Sequence, residues 1–299
     1  MKFNQQGVAL IQVLLITAIM TVLALYLSNT AKEQVAIAQL SNDKAQGQVN
    51  IQGAQAEVLF ALFTEKKQLT SRLTNDTSNS EIKKMWNFHD EIFTLPSGVQ
   101  VKIQDQSGLL NAHYLERDLI KKLLEYQGQS SSQADTMIDS LLDWQDIDNI
   151  KRANGAEFSQ YGTLDRIRNG MVPDISDFKY VKDMTPELLD ILLENTTMFR
   201  KGNFNPMNSP QTLLNALVGK TTAERVLSER SDKTLTRRRF KEITGLDENE
   251  EMFFATSNYL SMELINIIGQ SRAKRRLTFD LQPYAEQDQP PINILSNRD

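Results

Sequence analysis

The chain of 299 residues contains no cysteine. Disulfides, thiolate nucleophiles and thiolate metal sites are therefore excluded. The compartment stays open, because an oxidising space permits disulfides without requiring them. Only two histidines are present, His89 and His113, too few for a zinc centre built on several imidazoles. A basic excess is also missing. The formal charge is −5, whereas a nucleic-acid-binding domain normally carries a basic surplus. Proline is absent from residues 28–72, so nothing there forces a helix to stop. With 40% hydrophobic residues, the chain has enough apolar material for one or two packed domains.

What is present first is an uncharged apolar run over residues 8–27, GVALIQVLLITAIMTVLALYL with its preceding glycine. As a helix it spans about 30 Å, the thickness of a bilayer core. Three readings fit the run. A secretory signal peptide has a shorter apolar stretch and a small-x-small cleavage site, neither of which is seen here. A plain membrane anchor fits the length but does not require the glycine. The third reading uses the glycine as well. MKFNQQG followed by VALIQVLLITA resembles a type IV prepilin leader, which is short, polar, basic and ends in glycine. The resemblance implies cleavage by a prepilin peptidase between Gly7 and Val8, with methylation of the new N-terminus at Val8. Gln12 is then the fifth mature residue, where most pilin-like proteins have glutamate. A carboxylate there is costly in the bilayer unless paired, and the resemblance implies that it pairs with the N-terminal amine of a neighbouring subunit. Gln12 cannot supply that ion pair. A subunit at the end of a filament can dispense with it; the alternative is a polar residue merely tolerated in a membrane helix.

Beyond the membrane, Val35, Ala38, Ala45, Val49, Ala56, Leu59, Phe60 and Phe63 recur at roughly helical spacing, which predicts one helix continuing out of the bilayer. The composition of LTNDTSNSE from Leu73 predicts a loop. EIFTLPSGVQVKIQDQSG reads as two strands joined at Pro96-Ser97-Gly98, with Val99, Val101 and Ile103 alternating with polar residues. Ser107-Gly108 reads as a turn. Helices follow over 114–126, 132–144, 221–228 and 236–242. Two more start alike at Thr185-Pro186 and Ser209-Pro210, where a hydroxyl caps and proline takes the first helical position. The end changes character: SNYLSMELINIIG, AKRRLTFDLQP and PPINILS read as strands. This order predicts an α+β fold, a long N-terminal transmembrane helix packed on an antiparallel sheet with a large all-α insertion between strands. The expected divisions are 1–7 leader, 8–27 transmembrane helix, 28–112 first helix and strands, 113–253 insertion, and 254–299 closing strands.

This layout, together with LLDWQDIDN, GAEFSQY, VKDMTPELL and NFNPMNSPQTLL, resembles the minor pseudopilin K family of bacterial type II secretion systems. The resemblance covers nearly the whole chain. Family members also lack the glutamate at mature position five. The resemblance implies a subunit at the tip of a short pseudopilus, joined to other minor pseudopilins and standing on the major pseudopilin. The anchor would lie in the inner membrane and the bulk of the chain in the periplasm. The role implied is export of folded proteins across the outer membrane, with the insertion obstructing addition of further subunits. Two departures stand out. Some members carry a disulfide, which this chain cannot form. The family segment N-x-N-T is here Asn203-Phe204-Asn205-Pro206-Met207-Asn208, whose asparagines read as turn and capping residues.

Chemistry concentrates in DSLLDWQDIDNIKRANGAE. Asp139 and Asp143, and Asp143 and Asp146, are spaced to share one helix face. Converging carboxylates repel unless a cation lies among them, and calcium favours six to eight oxygen ligands. Counted from Asp146, the positions of Asp148 and Glu157 match an EF-hand loop, but Ile150 and Lys151 stand where an oxygen ligand and glycine belong. An EF-hand is rejected. A solvated acidic loop and a calcium site both fit the residues. The resemblance implies calcium in this insertion, and the ligands of such a structural ion are expected among Asp143, Asp146, Asp148 and Glu157.

Rival functions find less support. Asp146 and Asp148 could do acid–base work, but no nucleophile elbow, phosphate loop or neighbouring histidine accompanies them, and no enzyme is expected. The paired helices resemble helix-hairpin-helix elements, with Arg237-Arg238-Arg239 and the basic run 272–276 nearby. No hairpin glycines join them, and such charges usually mark a solvated face; no nucleic-acid partner is expected. A minor pilin of a type IV pilus machine, or a membrane-anchored periplasmic calcium-binding domain, remain as alternatives.

Overall fold

The computed structural model describes residues 6–67, 81–161, 167–286 and 288–298. Residues 1–5 of the expected leader and 73–80 of the expected loop lie outside them. Helix α1 runs over Gln6–Thr64 as one element, about 90 Å long at the ordinary helical rise. In its first part Leu10, Ile11, Leu14, Leu15 and Ile19 are all exposed. This is the one helix among the described residues that is long and apolar enough to cross a membrane. Thr17, Thr21 and Thr30 donate their hydroxyls to carbonyls of the preceding turn. Their polar atoms are thus satisfied within the helix, as an apolar solvent requires.

The second half of α1 packs on a sheet. Ile51, Ala54, Val58, Ala61 and Leu62 are buried at helical spacing. They meet Val99, Val101, Ile103, Leu260, Met262, Leu264, Leu277 and Phe279 in one core. A short helix α2 (Glu81–Met85) adds Ile82 to it, with Trp86 beside that helix. The strands are β1 (Phe93–Thr94) and β2 (Gln100–Asp105), followed after a gap by β5 (Tyr259–Ile268), β6 (Ser271–Leu281) and β7 (Ile292–Arg298). They form an antiparallel five-stranded sheet in the order β1-β2-β5-β6-β7. Alternation explains the sheet: apolar side chains face α1, and the opposite face is polar.

Between β2 and β5 lies the insertion. It holds β3 (Leu110–Asn111), α3 (Arg117–Tyr126), α4 (Ser131–Gln145), α5 (Phe158–Tyr161), α6 (Pro186–Asn195), β4 (Thr196–Thr197), α7 (Gln211–Val218), α8 (Lys220–Ser231) and α9 (Arg237–Thr244). β3 pairs in parallel with β4, and β4 is a short strand within the 113–253 stretch expected to be all-α. One apolar cluster gathers α3, α4 and α6 around Ile120, Leu123, Ile138, Leu141, Phe178 and Leu192. A second gathers α8 and α9 around Val226, Phe240 and Phe254. Neighbouring residues of α7 serve both, Leu213 in the first and Leu214 in the second.

Helix starts divide in an instructive way. Thr185 caps α6 by accepting the Leu188 N–H, with Pro186 first in the helix. Thr236 likewise caps α9 through Arg239 N–H. The expected twin at Ser209-Pro210 differs. Pro210 itself occupies the cap position of α7 and makes no side-chain cap bond, and Ser209 ends a preceding turn of 3-10 helix over Pro206–Asn208. Ser107-Gly108, expected as a turn, belongs to a 3-10 helix over Gln106–Gly108.

The insertion departs from and returns to one end of the sheet. Asp105 closes β2 opposite Leu260, near the start of β5. Just past the end of α1, Lys67 donates to the Ser257 carbonyl at 2.8 Å. The other end of the sheet, the β5–β6 turn at Gly269, lies against Asp43, nearer the apolar half of α1. The helical insertion therefore sits at the end of the sheet distal to the apolar segment.

One carboxylate fastens it there. Asp105 is fully buried and accepts from Ser107 N (3.0 Å), Ser107 Oγ (2.7 Å), Asn208 Nδ2 (2.8 Å), Asn205 Nδ2 (3.4 Å), Ser257 Oγ (2.6 Å) and Ser257 N (3.3 Å). These donors come from the exit of β2, the Asn-rich segment and the lead into β5. Gly108 allows the close approach, since a Cβ there would collide with the Asn208 backbone. Deleting the acceptor strands buried donors, each costing about 1–3 kcal/mol. Asp105→Ala should therefore lower unfolding free energy by about 3–5 kcal/mol. Denaturant unfolding of the detergent-solubilised chain measures this; a loss below about 1 kcal/mol would show that the clasp does not hold the insertion.

Candidate functional site

Helix α4 carries the acidic residues to one end of the insertion. Ser130 and Gln133 form a capping box that fixes its start, and Asp146 occupies its C-cap. Asp139 and Asp143 lie on the α4 face that the following loop covers. Asp139 pairs with Arg117 and accepts from Asn154 N at 3.1 Å and Asn154 Nδ2 at 3.3 Å. Burial pushes its carboxyl up, but the Arg117 and Asn154 bonds outweigh burial and hold it below the usual carboxylate range. Asp143 is fully buried. It accepts from Arg152 N at 3.2 Å and from Arg152 Nη1 at 2.6 Å. The same Nη1 pairs with Asp146. Gly155 lets the loop close over Asp143, because a Cβ there would overlap that carboxylate.

Glu157 completes the cluster. Oxygen atoms of Asp143, Asp146 and Glu157 lie within 4.8 Å of one another. Glu157 is 3% exposed, and neither of its carboxylate oxygens, nor Oδ1 of Asp146, has a hydrogen-bond partner of ordinary geometry. Burial first, then the charges of Asp143 and Asp146, push the Glu157 carboxyl above its ordinary range; the Phe158 N–H opposes this more weakly. Arg152 thus compensates Asp143 and Asp146 and leaves Glu157 uncompensated. Three of the four expected ligands converge. Asp148 is exposed and stands apart from the trio, its side chain accepting from Ile150 N at 2.7 Å in a local turn.

The other singled-out residues are placed as follows. Gly7 and Val8 lie in the first helical turn of α1, and Gln12 is exposed along it. His113 bonds through Nε2 to the Val172 carbonyl at 2.8 Å. His89 is buried against Glu91, and burial lowers its pKa to about 4. Neither histidine accompanies the acidic cluster. Arg237, Arg238 and Arg239 open α9 and pair with Glu248, Glu242 and Glu229, a solvated face. The residues that sequence reasoning undervalued are Asn205 and Asn208. Asn205 does cap, accepting Met207 N–H at 3.2 Å. The further bonds of both to Asp105 join positions about a hundred apart, which local patterns do not reveal.

Comparison with known proteins agrees with this architecture. Residues 101–200 match the sequence model of the family described as type II secretion system (T2SS), protein K. That stretch contains β2, α3, α4, the acidic loop and α6. Among solved structures, a chain of the GspK-GspI-GspJ complex from the type 2 secretion system of enterotoxigenic Escherichia coli is similar at a TM-score of 0.52 and 15% identity, covering 90% of this chain and 98% of that one. No curated protein sequence matches. Residues 101–200 thus resemble the type II secretion system protein K family, and the long apolar N-terminal helix, antiparallel sheet and helical insertion together are similar in fold to the solved chain of that complex.

Proposed function

We propose that the chain is the tip subunit of a type II secretion pseudopilus, joined there to two other minor pseudopilins and supported from below by the major pseudopilin. The observation that carries the proposal is the place of the insertion. It leaves the sheet at Asp105 and returns at Tyr259, at the end distal to the apolar half of α1. A subunit added above would meet the helical insertion instead of the sheet and α1. Filament growth from the membrane would then carry this subunit outward and help export proteins across the outer membrane. In this reading the chain is a structural subunit and not an enzyme. A prepilin peptidase cuts between Gly7 and Val8 and Val8 is methylated. Residues 8–27 anchor the chain once in the inner membrane, and the rest lies in the periplasm. Gln12 fits a terminal subunit, which needs no charged partner for a following amine.

Ala38 and Ala45 are exposed, two helical turns apart on α1, and small residues let neighbouring helices approach closely. Neither contributes to the core that holds α1 on the sheet. Ala38→Arg or Ala45→Arg should reduce copurification with partner minor pseudopilins at least tenfold, about 1.4 kcal/mol, with an unchanged melting temperature. Copurification at the wild-type level would contradict the helix-packed tip.

The acidic cluster suits a structural calcium ion. Its donors are all oxygens, and Glu157 is buried without a compensating charge. Asp143, Asp146 and Glu157 would hold the ion, with Arg152 swinging toward solvent. Bound calcium would neutralise the carboxylates and tie the loop to α4. Calcium at millimolar concentration should raise the melting temperature of the wild type and leave Glu157→Gln unmoved. In chelator the order should reverse, Glu157→Gln melting above wild type because it removes an uncompensated buried charge. Absence of any calcium-dependent shift in the wild type would sink the assignment.

A further inference from the structure

The sequence holds two asparagine–glycine pairs, Asn154-Gly155 and Asn169-Gly170. In such a pair the backbone nitrogen of the glycine can attack Cγ of the asparagine side chain, because no Cβ on the glycine blocks the close approach. Two conditions govern this attack in a folded chain. The nitrogen must be free to give up its proton, and the loop must be free to close a succinimide ring.

The fold treats the two pairs differently. Gly155 is buried, and its N–H donates to the Arg152 carbonyl at 3.1 Å. It also lies so close to the Asp143 carboxylate that a Cβ would overlap Oδ2. That negative charge opposes the anionic nitrogen the attack requires. Asn154 is clamped as well, its backbone N and its Nδ2 both donating to Asp139 Oδ2, at 3.1 and 3.3 Å. Gly170 is the reverse case. It is half-buried, and its N–H makes no hydrogen bond among the described residues. A Cβ there would meet only the Arg168 carbonyl, at 4.0 Å. Asn169 has φ +47°, in the left-handed region that asparagine tolerates. Its Nδ2 donates to the Asp148 carbonyl at 3.3 Å and to Asn149 Oδ1 at 3.0 Å, both in exposed surroundings. These two bonds tie Asn169 to the acidic loop that follows α4.

We infer that Asn169 is a site of spontaneous deamidation, that the fold protects Asn154 from the same reaction, and that modification of Asn169 loosens the acidic loop. In the first step the Gly170 nitrogen bonds to Asn169 Cγ and the Cγ–Nδ2 bond breaks. Nδ2 leaves as ammonia, taking the proton that Gly170 gives up. Water then opens the succinimide at either carbonyl and leaves aspartate or isoaspartate, with no oxidation or reduction. Either product sets a carboxylate, which can only accept hydrogen bonds, where an amide donated to the Asp148 carbonyl. Isoaspartate also lengthens the main chain by one carbon at the left-handed residue. The loop beside Asp146 loses a tie in both cases. The inference does not rest on the filament reading.

The test incubates the full chain in detergent and chelator at mildly alkaline pH and follows both asparagines by peptide mass mapping and isoaspartate labelling. In the native chain Asn169 should convert at least about tenfold faster than Asn154, which must first open its loop. In denaturant the two rates should converge, since both pairs then have the same local chemistry. Gly170→Ala fits the space and should slow conversion of Asn169 about tenfold by blocking the approach, with an unchanged melting temperature. Asn169→Asp, which mimics one product, should speed backbone hydrogen exchange over residues 147–151 about tenfold. Native conversion of Asn154 as fast as that of Asn169 would overturn the inference, as would equal protection of both. Unchanged exchange in Asn169→Asp would overturn the link to the acidic loop.

Discussion

The carboxylate of Asp105 is the joint on which the architecture turns. A pilin-like sheet is a local structure: α1 covers one face, and neighbouring antiparallel strands pair along it. Placing about 150 residues between two adjacent strands, β2 and β5, would ordinarily leave a loosely tethered domain. Here the exit, the Asn-rich turn and the return all donate to one buried anion. A buried charge is costly unless its hydrogen-bonding capacity is filled, and only the docked insertion fills it. The chemistry that satisfies Asp105 therefore also sets the position of the insertion on the sheet.

That position has a consequence for assembly. Lys67 and Ser257 fix the end of α1 beside the same joint, so the insertion lies at the distal end and not along the flank of α1. The flank stays open, with Ala38 and Ala45 exposed. In the proposed filament, a subunit built this way would offer a helical surface to neighbours beside and below and a different, bulky surface above. Growth in one direction and closure in the other would follow from that asymmetry without any moving part.

Much of this was legible in the sequence because the relevant forces act locally. The apolar run, the alternation in VQVKI and LTFDL, and the Thr185 cap each depend on neighbours within a few residues. Helix ends were less legible: α1 stops at Thr64, and Pro210 takes the cap itself where the Thr185 pattern suggested a hydroxyl. The long-range contacts were not legible at all. Asn205 and Asn208 look like turn residues until Asp105 is brought beside them. In the acidic loop, spacing alone grouped Asp148 with Asp146 and Glu157, but a local turn with Ile150 takes Asp148 aside. Burial, which no spacing rule encodes, is what singles out Glu157.

The proposed role makes the protein a processed pilin-like subunit standing at a filament tip. The measurement that reaches it most directly is the mass and N-terminal sequence of the protein extracted from membranes of a strain with an active prepilin peptidase. A chain that starts at Val8 and carries one added methyl group on its amine is expected. An intact chain starting at Met1 would contradict it, leaving α1 as a plain anchor and the insertion in need of another role.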